Sequence, residues 1–432
     1  MKILNNKNNN FKKDLISLLN NRFDANIGNK IEKDVKNILN EVKNKGNKAL
    51  FKFSKRFDNI VLNESNLKIP KKILEKQENK IDKKVFNSFK IAIKNITKFH
   101  RKQFPKNYEI NSDNIKAGSI WKPIDSVGLY IPGGKAVYPS SLIMNIVPAK
   151  IAGVKRIVVT TPSQNGKFNP YVLALLNLFN IDEIYQLGGA QAIAALAYGT
   201  ETIKSVNKIF GPGNAYVTTA KKNVFGKVGI DLIAGPSEII VVADKENNPA
   251  WVASDLIAQA EHDEKAQSIL ITDSEYFAKK VISNINNFVK KLSTKNIIKK
   301  SLKNYGAIII VDNLNSSAEI INLISPEHLH LQNKSSNYIF KHVRNAGAIF
   351  IGQHSSEAFG DYIVGTNHVL PTSSTSRFSS GLGVLDFMKR TSYVKMNKIS
   401  SRKFSKHVVK MADIENLEGH KLSVKIRQKE KK

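Results

Sequence analysis

The stretch SVGLYI at residues 126–131 is the first of eight short, β-branched apolar segments that decide the fold. The other seven are RIVVT (156–160), IYQL (184–187), KIF (208–210), EIIVVA (238–243), SILIT (268–272), AIIIV (307–311) and AIFI (348–351). Stretches of helical character separate them, and this alternation is typical of α/β proteins. Continuous apolar strands with intervening helices predict parallel sheets that are covered on both faces and bind ligands at the carboxyl ends of their strands.

Outside the region that holds these strands, the spacing of apolar residues and the composition are different. Up to about residue 120 the apolar spacing is helical, as in Val85, Phe89 and Ile93. Residues 354–383 are dense in Gly, Ser and Thr and predict a long functional loop. After Asp386 the pattern is helical again and ends in a basic tail. Eight strands in 432 residues fit two sheets better than one.

The composition excludes several kinds of chemistry. The chain has no cysteine, so it can form no thiolate nucleophile, disulfide or cysteine–zinc site. No apolar run approaches the roughly 20 residues needed to cross a bilayer, and residues 1–10 are polar, so we expect a cytoplasmic protein with no membrane partner. The net charge is +31, but its lysines are spread over every predicted helix and tail, so we expect no dedicated nucleic-acid partner.

Two glycine-rich turns follow predicted strands and lead into helices: IPGGKAVYPSS (131–141) and FGPGNAYVTTAKK (210–222). Such turns can bind phosphate on backbone N–H groups at a helix start. Neither is a GxGxxG fingerprint, and neither has the acidic residue expected about 20 positions further on. A nucleotide site and an ordinary βα loop both remain open for them.

Polar pairs suggest further chemistry, each with a structural alternative. Gln259 and His262 lie three apart on a predicted helix, which favours either a metal site or a hydrogen-bonded histidine near the helix end. In INLISPEHLHLQ (321–332), Ser325 as an N-cap would place Glu327 and His328 in a first helical turn. A helix N-terminus disfavours a charged imidazole and would keep His328 a neutral base, whereas a surface turn is the alternative.

Two more candidate pairs occur late in the chain. Asp361 and His368 lie in the Gly/Ser-rich loop, and Glu415 and His420 lie near the end. Surface loops often carry such residues, so each pair alone is weak support for a site. GxSxG, HExxH, Walker and CxxC motifs do not occur, which removes the commonest hydrolase, protease, kinase and redox-thiol functions.

Taken together and in order, these residues resemble the histidinol dehydrogenase family along nearly the whole chain. The similar blocks are GLYIPGG (128–134), LGGAQAIAALAYGT (187–200), KIFGPGNAYV (208–217), DLIAGPSE (231–238), DLIAQAEHD (255–263), SPEHL (325–329), FGDYIVGTNHVLPT (359–372) and ENLEGH (415–420). The resemblance implies a two-step, NAD-linked, four-electron oxidation of L-histidinol to L-histidine with one zinc ion per subunit. It implies zinc ligands Gln259, His262, Asp361 and His420, substrate contacts at Ser237, His368 and Glu415, the acid–base pair Glu327 and His328, and NAD contacts at Tyr130, Gln191 and Asn214.

The resemblance also implies an architecture. We expect an α/β fold with two Rossmann-like parallel-sheet domains and small helical terminal segments that pack in a homodimer with shared active sites. The implied divisions are a helical arm at 1–26, a first domain at 27–129 with 239–382, a second domain with the NAD contacts at 130–238, and a segment at 383–432 that reaches the partner subunit.

The missing cysteine narrows the implied mechanism. Hydride cannot leave an aldehyde carbon that bears no second oxygen, so the second oxidation needs a tetrahedral adduct. Without a thiol the adduct is the hydrate, and Glu327 would activate the water that forms it. Two alternatives remain open at this stage: a dehydrogenase for another small alcohol on the same scaffold, and a nucleic-acid-binding protein that keeps an inactive dehydrogenase fold.

Overall fold

The structure is a computed structural model that describes residues 1–20, 22, 25–77, 80–133, 138–163 and 166–428. Its strands are β1 (Lys2–Asn5), β2 (Tyr108–Ser112), β3 (Ile115–Pro123), β4 (Ser126–Tyr130), β5 (Arg156–Thr160), β6 (Glu183–Tyr185), β7 (Lys208–Phe210), β8 (Gly229–Ile230), β9 (Glu238–Val242), β10 (Gln267–Thr272), β11 (Ala307–Ile310), β12 (His328–Leu331), β13 (Ala348–Ile351) and β14 (Met388–Met396).

The α-helices alternate with these strands over most of the chain. They are α1 (Phe11–Asn20), α2 (Ala25–Lys45), α3 (Asn47–Phe53), α4 (Glu64–Leu67), α5 (Lys71–Glu75), α6 (Lys83–Arg101), α7 (Pro139–Ala152), α8 (Pro170–Leu178), α9 (Gly189–Tyr198), α10 (Ala215–Val224), α11 (Pro249–Ala260), α12 (Glu275–Val289), α13 (Lys295–Asn304), α14 (Ser317–Ile324), α15 (Ser336–His342), α16 (Glu357–Tyr362), α17 (Lys398–Ile414) and α18 (Glu418–Ile426). Among the described helices, none combines the length and hydrophobicity that crossing a bilayer requires.

Two parallel sheets share one Rossmann-like strand order. The first has the order β6-β5-β4-β7-β8, and the second has the order β1-β11-β10-β9-β12-β13. In the five-stranded sheet β4 lies in the middle, with β5 and β6 on one side and β7 and β8 on the other. The six-stranded sheet is built in the same way around β9, with β10 and β11 on one side and β12 and β13 on the other, and β1 is added beside β11. In open parallel sheets, a switch point of this kind forms a ligand-binding crevice at the carboxyl ends of the central strands. The predicted α/β class with two parallel sheets is therefore confirmed.

All eight predicted segments form strands; seven of them are largely buried, whereas β13, at the edge of the six-stranded sheet, is only half-buried. In β9, Ile240 and Val242 pack in one apolar cluster, while Ile239 and Val241 pack in another on the opposite face. This alternation with a period of two is what a strand between two helical layers requires.

Six of the fourteen strands in the described part of the chain fall outside the eight predicted segments, and β1, β2, β3 and β14 lie where helix was predicted. Residues 2–5 of the predicted helical arm form β1, which pairs with β11 as an edge strand. Strands β2 and β3 lie in the segment predicted as helical up to residue 120, and β14 follows Asp386. These last three form a small antiparallel sheet in the order β14-β3-β2. Every residue of β2 is exposed, so the sequence shows no buried face there.

Helices between residues 25 and 101 pack on the five-stranded sheet, contrary to the predicted grouping of 27–129 with 239–382. Val35 and Leu39 of α2 share a buried cluster with Ile193 of α9, and Ile96 of α6 packs with Leu142 of α7. Helix periodicity identifies an apolar stripe but does not say which sheet the stripe will cover.

Candidate active site

Glu327 and His328 lie at the junction of α14 and β12, and the predicted helical turn was wrong. Ser325 ends α14 with a left-handed φ of 54°, and His328 begins β12. The four residues from His328 to Leu331 pair in parallel register with β9 and β13, which satisfies their backbone groups in a way that a surface turn would not. Without a helix N-terminus, the predicted reason for a neutral His328 does not hold.

The backbone of Glu238, on the neighbouring strand β9, fixes both side chains. Its N–H donates to Glu327 Oε2 at 2.9 Å, and its carbonyl accepts from His328 Nδ1 at 3.2 Å. The two side chains are buried and 3.6 Å apart between His328 Nδ1 and Glu327 Oε2. Ser237 directly precedes Glu238, so this predicted substrate residue lies beside the pair.

Asp361 completes the buried polar cluster from the other side. It lies on the short helix α16, within the stretch predicted to be a loop, and its Oδ1 is 3.5 Å from His328 Nε2. The Asp361 carbonyl accepts from His368 Nδ1 at 2.9 Å, and Ser141 Oγ lies 3.1 Å from His368 Nε2. Burial lowers the pKa of His368, so this imidazole is neutral and accepts the Ser141 hydroxyl proton.

Burial and mutual charge shift the proton affinities of this cluster. Burial raises the pKa of Glu327 to about 7, although the charge of His328 opposes the shift. Burial lowers the pKa of His328, but the carboxyls of Glu327, Asp361 and Glu357 outweigh burial and raise it to about 10. Burial acts to raise the pKa of Asp361, yet His328 and the other nearby imidazoles hold it below its usual value. The carboxyls and imidazoles therefore exchange protons as a group.

His262 approaches this cluster, and Gln259 lies three residues before it on a helix that ends sooner than predicted. Helix α11 ends at Ala260, and His262 follows in a turn whose N–H donates to the Gln259 carbonyl at 3.3 Å. The Gln259 side chain is buried, and its Oε1 has no hydrogen-bond partner. His262 is close enough to lower the pKa of Asp361. A buried amide oxygen without a donor is suited to a cation.

Glu415 and His420 do not join this cluster within the chain. Both side chains are exposed, and no hydrogen bond or ion pair of the described residues includes either of them. Across the described part of the chain, no three His, Cys, Asp or Glu side chains group closely enough to hold a metal ion. Of the four predicted metal ligands, His262 influences the pKa of Asp361, Gln259 adjoins His262 through a backbone hydrogen bond, and His420 is exposed on the C-terminal helix α18.

The predicted NAD residues lie along the carboxyl edge of the five-stranded sheet. Tyr130 ends β4, and its hydroxyl accepts from the Gly189 N–H at 3.2 Å. Gln191 lies in the first turn of α9 and is buried, and Asn214 caps α10 by accepting from Tyr216 N at 3.0 Å. Residues 134–137 of the first glycine-rich turn lie outside the described residues.

The second glycine-rich turn is shaped by a close approach of two strands. Gly211 follows β7 at φ +113°, and a Cβ there would lie 2.1 Å from the Tyr130 carbonyl oxygen. Asp231 Oδ2 accepts from the Gly211 N–H at 2.7 Å, and the Lys221 ammonium donates to the Gly211 carbonyl at 2.9 Å. Lys221 and Asp231 form a buried ion pair, so the turn is held from both sides.

The polar cluster around Glu327 and His328 lies at the amino ends of its strands, not at their carboxyl ends. Glu327 and His328 precede or begin β12, and Glu238 begins β9, so the cluster lies at the amino ends of the six-stranded sheet. These candidate residues therefore lie at the opposite ends of the strands from the carboxyl ends, where the strand pattern led us to expect ligands. Parallel packing covers the faces of a sheet and leaves both edges available for polar side chains.

Sequence reasoning missed Glu357, which is buried four residues before Asp361 on α16. Its Oε2 has no hydrogen-bond partner, and burial raises its pKa well above the usual value. The spacing of four was a usable signal, because it places two side chains on one helix face. Residues 354–383 were predicted as a loop, so the helical spacing of Glu357 and Asp361 was not used.

Comparison with known proteins agrees with the sequence. A family model described as histidinol dehydrogenase matches residues 21–428. The chain belongs to the histidinol dehydrogenase family. It is 47% identical over 395 residues to histidinol dehydrogenase of Agrobacterium fabrum, covering 91% of each chain, and 46% identical over 408 residues to that of Listeria innocua, covering 94% of this chain and 95% of the other. The crystal structure of histidinol dehydrogenase from Elizabethkingia anophelis matches with a TM-score of 0.91 and 33% identity over 99% of this chain and 98% of that one.

Proposed function

We propose that this chain is a histidinol dehydrogenase that oxidises L-histidinol through L-histidinal to L-histidine and reduces two NAD⁺. Family membership supports the substrate and the place in histidine biosynthesis. The observation that carries the chemistry is the buried pair of Glu327 and His328 beside Asp361, with no cysteine anywhere in the chain.

The residues present fit a zinc ion. Gln259 offers a buried amide oxygen without a donor, Asp361 offers a carboxylate of lowered pKa, and His262 offers an imidazole. Nitrogen and oxygen donors of this kind suit zinc. When bound, the ion would ligate the imidazole and amine of histidinol and so orient the carbinol carbon. A cation at Asp361 would also compete with His328 for that carboxylate and lower the pKa of His328 toward that of a working base.

The protein side chains then supply the proton transfers. In the first oxidation His328 takes the alcohol proton as hydride leaves the carbinol carbon for NAD⁺, giving the aldehyde. Glu327 then takes a proton from water as the water oxygen adds to the aldehyde carbon, and His328 returns its proton to the aldehyde oxygen, giving the hydrate. In the second oxidation His328 takes a proton from one hydroxyl as hydride leaves the hydrate carbon for the second NAD⁺, and the resulting carboxylic acid loses its remaining proton to solvent, giving the carboxylate. A carboxyl whose pKa is raised to about 7 is matched to this task near neutral pH.

The cofactor would occupy the switch-point crevice of the five-stranded sheet. Tyr130, Gln191 and Asn214 lie along its carboxyl edge, where nucleotides bind to open parallel sheets. The backbone turn at Gly211 allows a close approach of the ligand because it has no side chain.

We also propose a homodimer whose two sites are shared. The C-terminal helices α17 and α18 pack on each other and expose several large apolar side chains: Ile399, Met411, Ile414, Leu422 and Ile426. A solvated helix pair rarely exposes so many, so a partner chain would cover them. Glu415 ends α17 and His420 lies on α18, so both side chains would reach the candidate zinc site of the partner subunit. A cytoplasmic location stays a prediction.

Measurements of NADH formation test the proposed reaction, its dependence on metal and its substrate. We expect two NADH per histidinol consumed, and loss of turnover after full removal of metal by a chelator with recovery on adding zinc. A yield of one NADH, or unchanged turnover in the metal-free protein, would contradict it. An analogue that lacks the imidazole should be a poor substrate, and equal turnover of that analogue would indicate another small alcohol as the substrate.

A further inference from the structure

The five-stranded sheet lacks an acidic residue at a position where Rossmann-like folds use one. In such folds an Asp or Glu near the end of the strand beside the central strand accepts a hydrogen bond from the adenosine ribose of NAD. Here that strand is β5, which ends at Thr160, and residues 161–169 read TPSQNGKFN without an acidic side chain.

Asp58 brings a carboxylate to this place from another part of the chain. It ends the π-helical turn Ser54–Asp58, and its Oδ2 accepts from Gln191 Nε2 at 3.2 Å. Its Oδ1 lies 3.5 Å from where a Cβ on Gly188 would be, and the same point is 2.9 Å from the Pro162 side chain. Pro162 follows β5 and Gly188 follows β6, so the carboxylate lies at the carboxyl edge of both strands.

The surroundings leave Asp58 able to accept another hydrogen bond. The side chain is half-buried, and no lysine or arginine of the described residues forms an ion pair with it. Burial raises its pKa to about 6, with the Gln191 amide opposing the shift, so it is ionised at neutral pH. Its charge also helps to raise the pKa of Tyr130, after burial, to about 12, which places it near a second predicted NAD residue.

We propose that Asp58 accepts a hydrogen bond from the 2′-hydroxyl of the adenosine ribose and thereby makes the site prefer NAD over NADP. The inference rests on the proposed use of a nicotinamide dinucleotide. A carboxylate at this position binds a hydroxyl and repels the 2′-phosphate of NADP, because two anions would then meet in a half-buried site. Gln191 acts as the positioning residue, since its amide fixes the Oδ2 atom.

Calorimetric titration of the full-length protein with three adenosine-side fragments tests this directly. We expect ADP-ribose to bind at least about tenfold more tightly than 2′-deoxy-ADP-ribose or 2′-phospho-ADP-ribose, as a hydrogen bond to a charged acceptor implies. In Asp58→Asn the preference over the phosphorylated fragment should fall to within roughly threefold. Asp125→Asn, which removes the same charge from an exposed side chain at the amino edge of the same sheet, should keep the wild-type preference.

The outcomes separate this inference from the proposed function. Equal binding of ADP-ribose and its 2′-deoxy form by the unaltered protein would overturn the role of Asp58, even where the protein makes two NADH from histidinol. Retention of the full preference in Asp58→Asn would do the same. Conversely, a preference that depends on Asp58 in a protein that makes no NADH from histidinol would support the inference and refute the proposed substrate.

Discussion

Glu327 is a buried carboxyl whose hydrogen-bond donor is a backbone N–H on a neighbouring strand. The donor and the adjacent imidazole stabilise the ionised form, while burial favours the protonated form, and burial prevails. The result is a group that gains and loses its proton near neutral pH. That property is what activation of water requires.

Replacing Glu327 with Gln tests this at the level of one side chain. The amide cannot take a proton from water, so oxidation of histidinal to histidine should slow by on the order of a hundredfold or more. The reverse reduction of histidinal to histidinol needs no activated water and should slow far less. Both rates can be measured with NAD⁺ or NADH and added histidinal, and equal losses in the two directions would refute the assignment.

The pH profile is a second readout of the same variant. Because the base acts in its ionised form and its pKa is raised to about 7, the wild-type rate of histidinal oxidation should fall as the pH drops through about 7. This acidic decline should be absent in the Gln variant. A decline that persists unchanged would assign the titration to another group.

At the scale of elements, the sequence predicted most of the strands that are buried on both faces. The β9 segment has β-branched side chains at four consecutive positions after Glu238, and no polar surface strand has that composition. Strand β2 was invisible because all its residues are exposed and its sequence, YEINS, is compatible with a loop. Strand β12 was misassigned because Ser325 and Pro326 imitate the start of a helix, whereas Ser325 in fact ends one.

For the candidate site, too, the sequence predicted contacts between residues that are close along the chain but not contacts between distant strands. Spacing paired Gln259 with His262 on one helix, and the two stay linked by a backbone hydrogen bond although α11 ends at Ala260. The dependence of Glu327 and His328 on the Glu238 backbone, 89 and 90 residues away, has no local signature. Register between non-adjacent strands decides it, and only the fold reveals that register.

Replacing Gly211 with Ala tests the close approach of the backbone after β7 to the end of the neighbouring parallel strand β4. Its positive φ and the 2.1 Å approach of a Cβ to the Tyr130 carbonyl both oppose a side chain. We expect a loss of at least about 2 kcal/mol in the free energy of unfolding and weaker NADH binding. Denaturant unfolding and NADH fluorescence titration measure the two effects.

Gly226→Ala is the matched control for that variant. Gly226 also has a positive φ, +97°, but a Cβ there meets nothing within 4 Å. It should therefore show only the backbone strain of about 1 kcal/mol and leave NADH binding unchanged. If the two variants lose the same stability and both bind NADH normally, the close approach at Tyr130 has no energetic weight.

At the scale of the whole molecule, the candidate ligand set is incomplete in a single chain. His262 is close enough to Asp361 to lower its pKa and is hydrogen-bonded to the Gln259 backbone, whereas His420 is exposed on α18 with exposed apolar side chains on the same helix. A second copy that covers this apolar surface would bring its own His420 to the first copy's cluster. In that arrangement each site would depend on both chains, and an isolated subunit would be inactive.

Mixing two inactive variants tests this sharing. His420→Ala removes the ligand given to the partner's site, and Glu327→Gln removes the base from a chain's own site. In a mixed dimer with two-fold symmetry, one site receives both changes and the other receives neither. After co-refolding in equal amounts, half of the dimers are mixed, so histidine formation should recover to roughly a quarter of the wild-type rate. If the sites were complete within single chains, every site would carry one change and no activity would return.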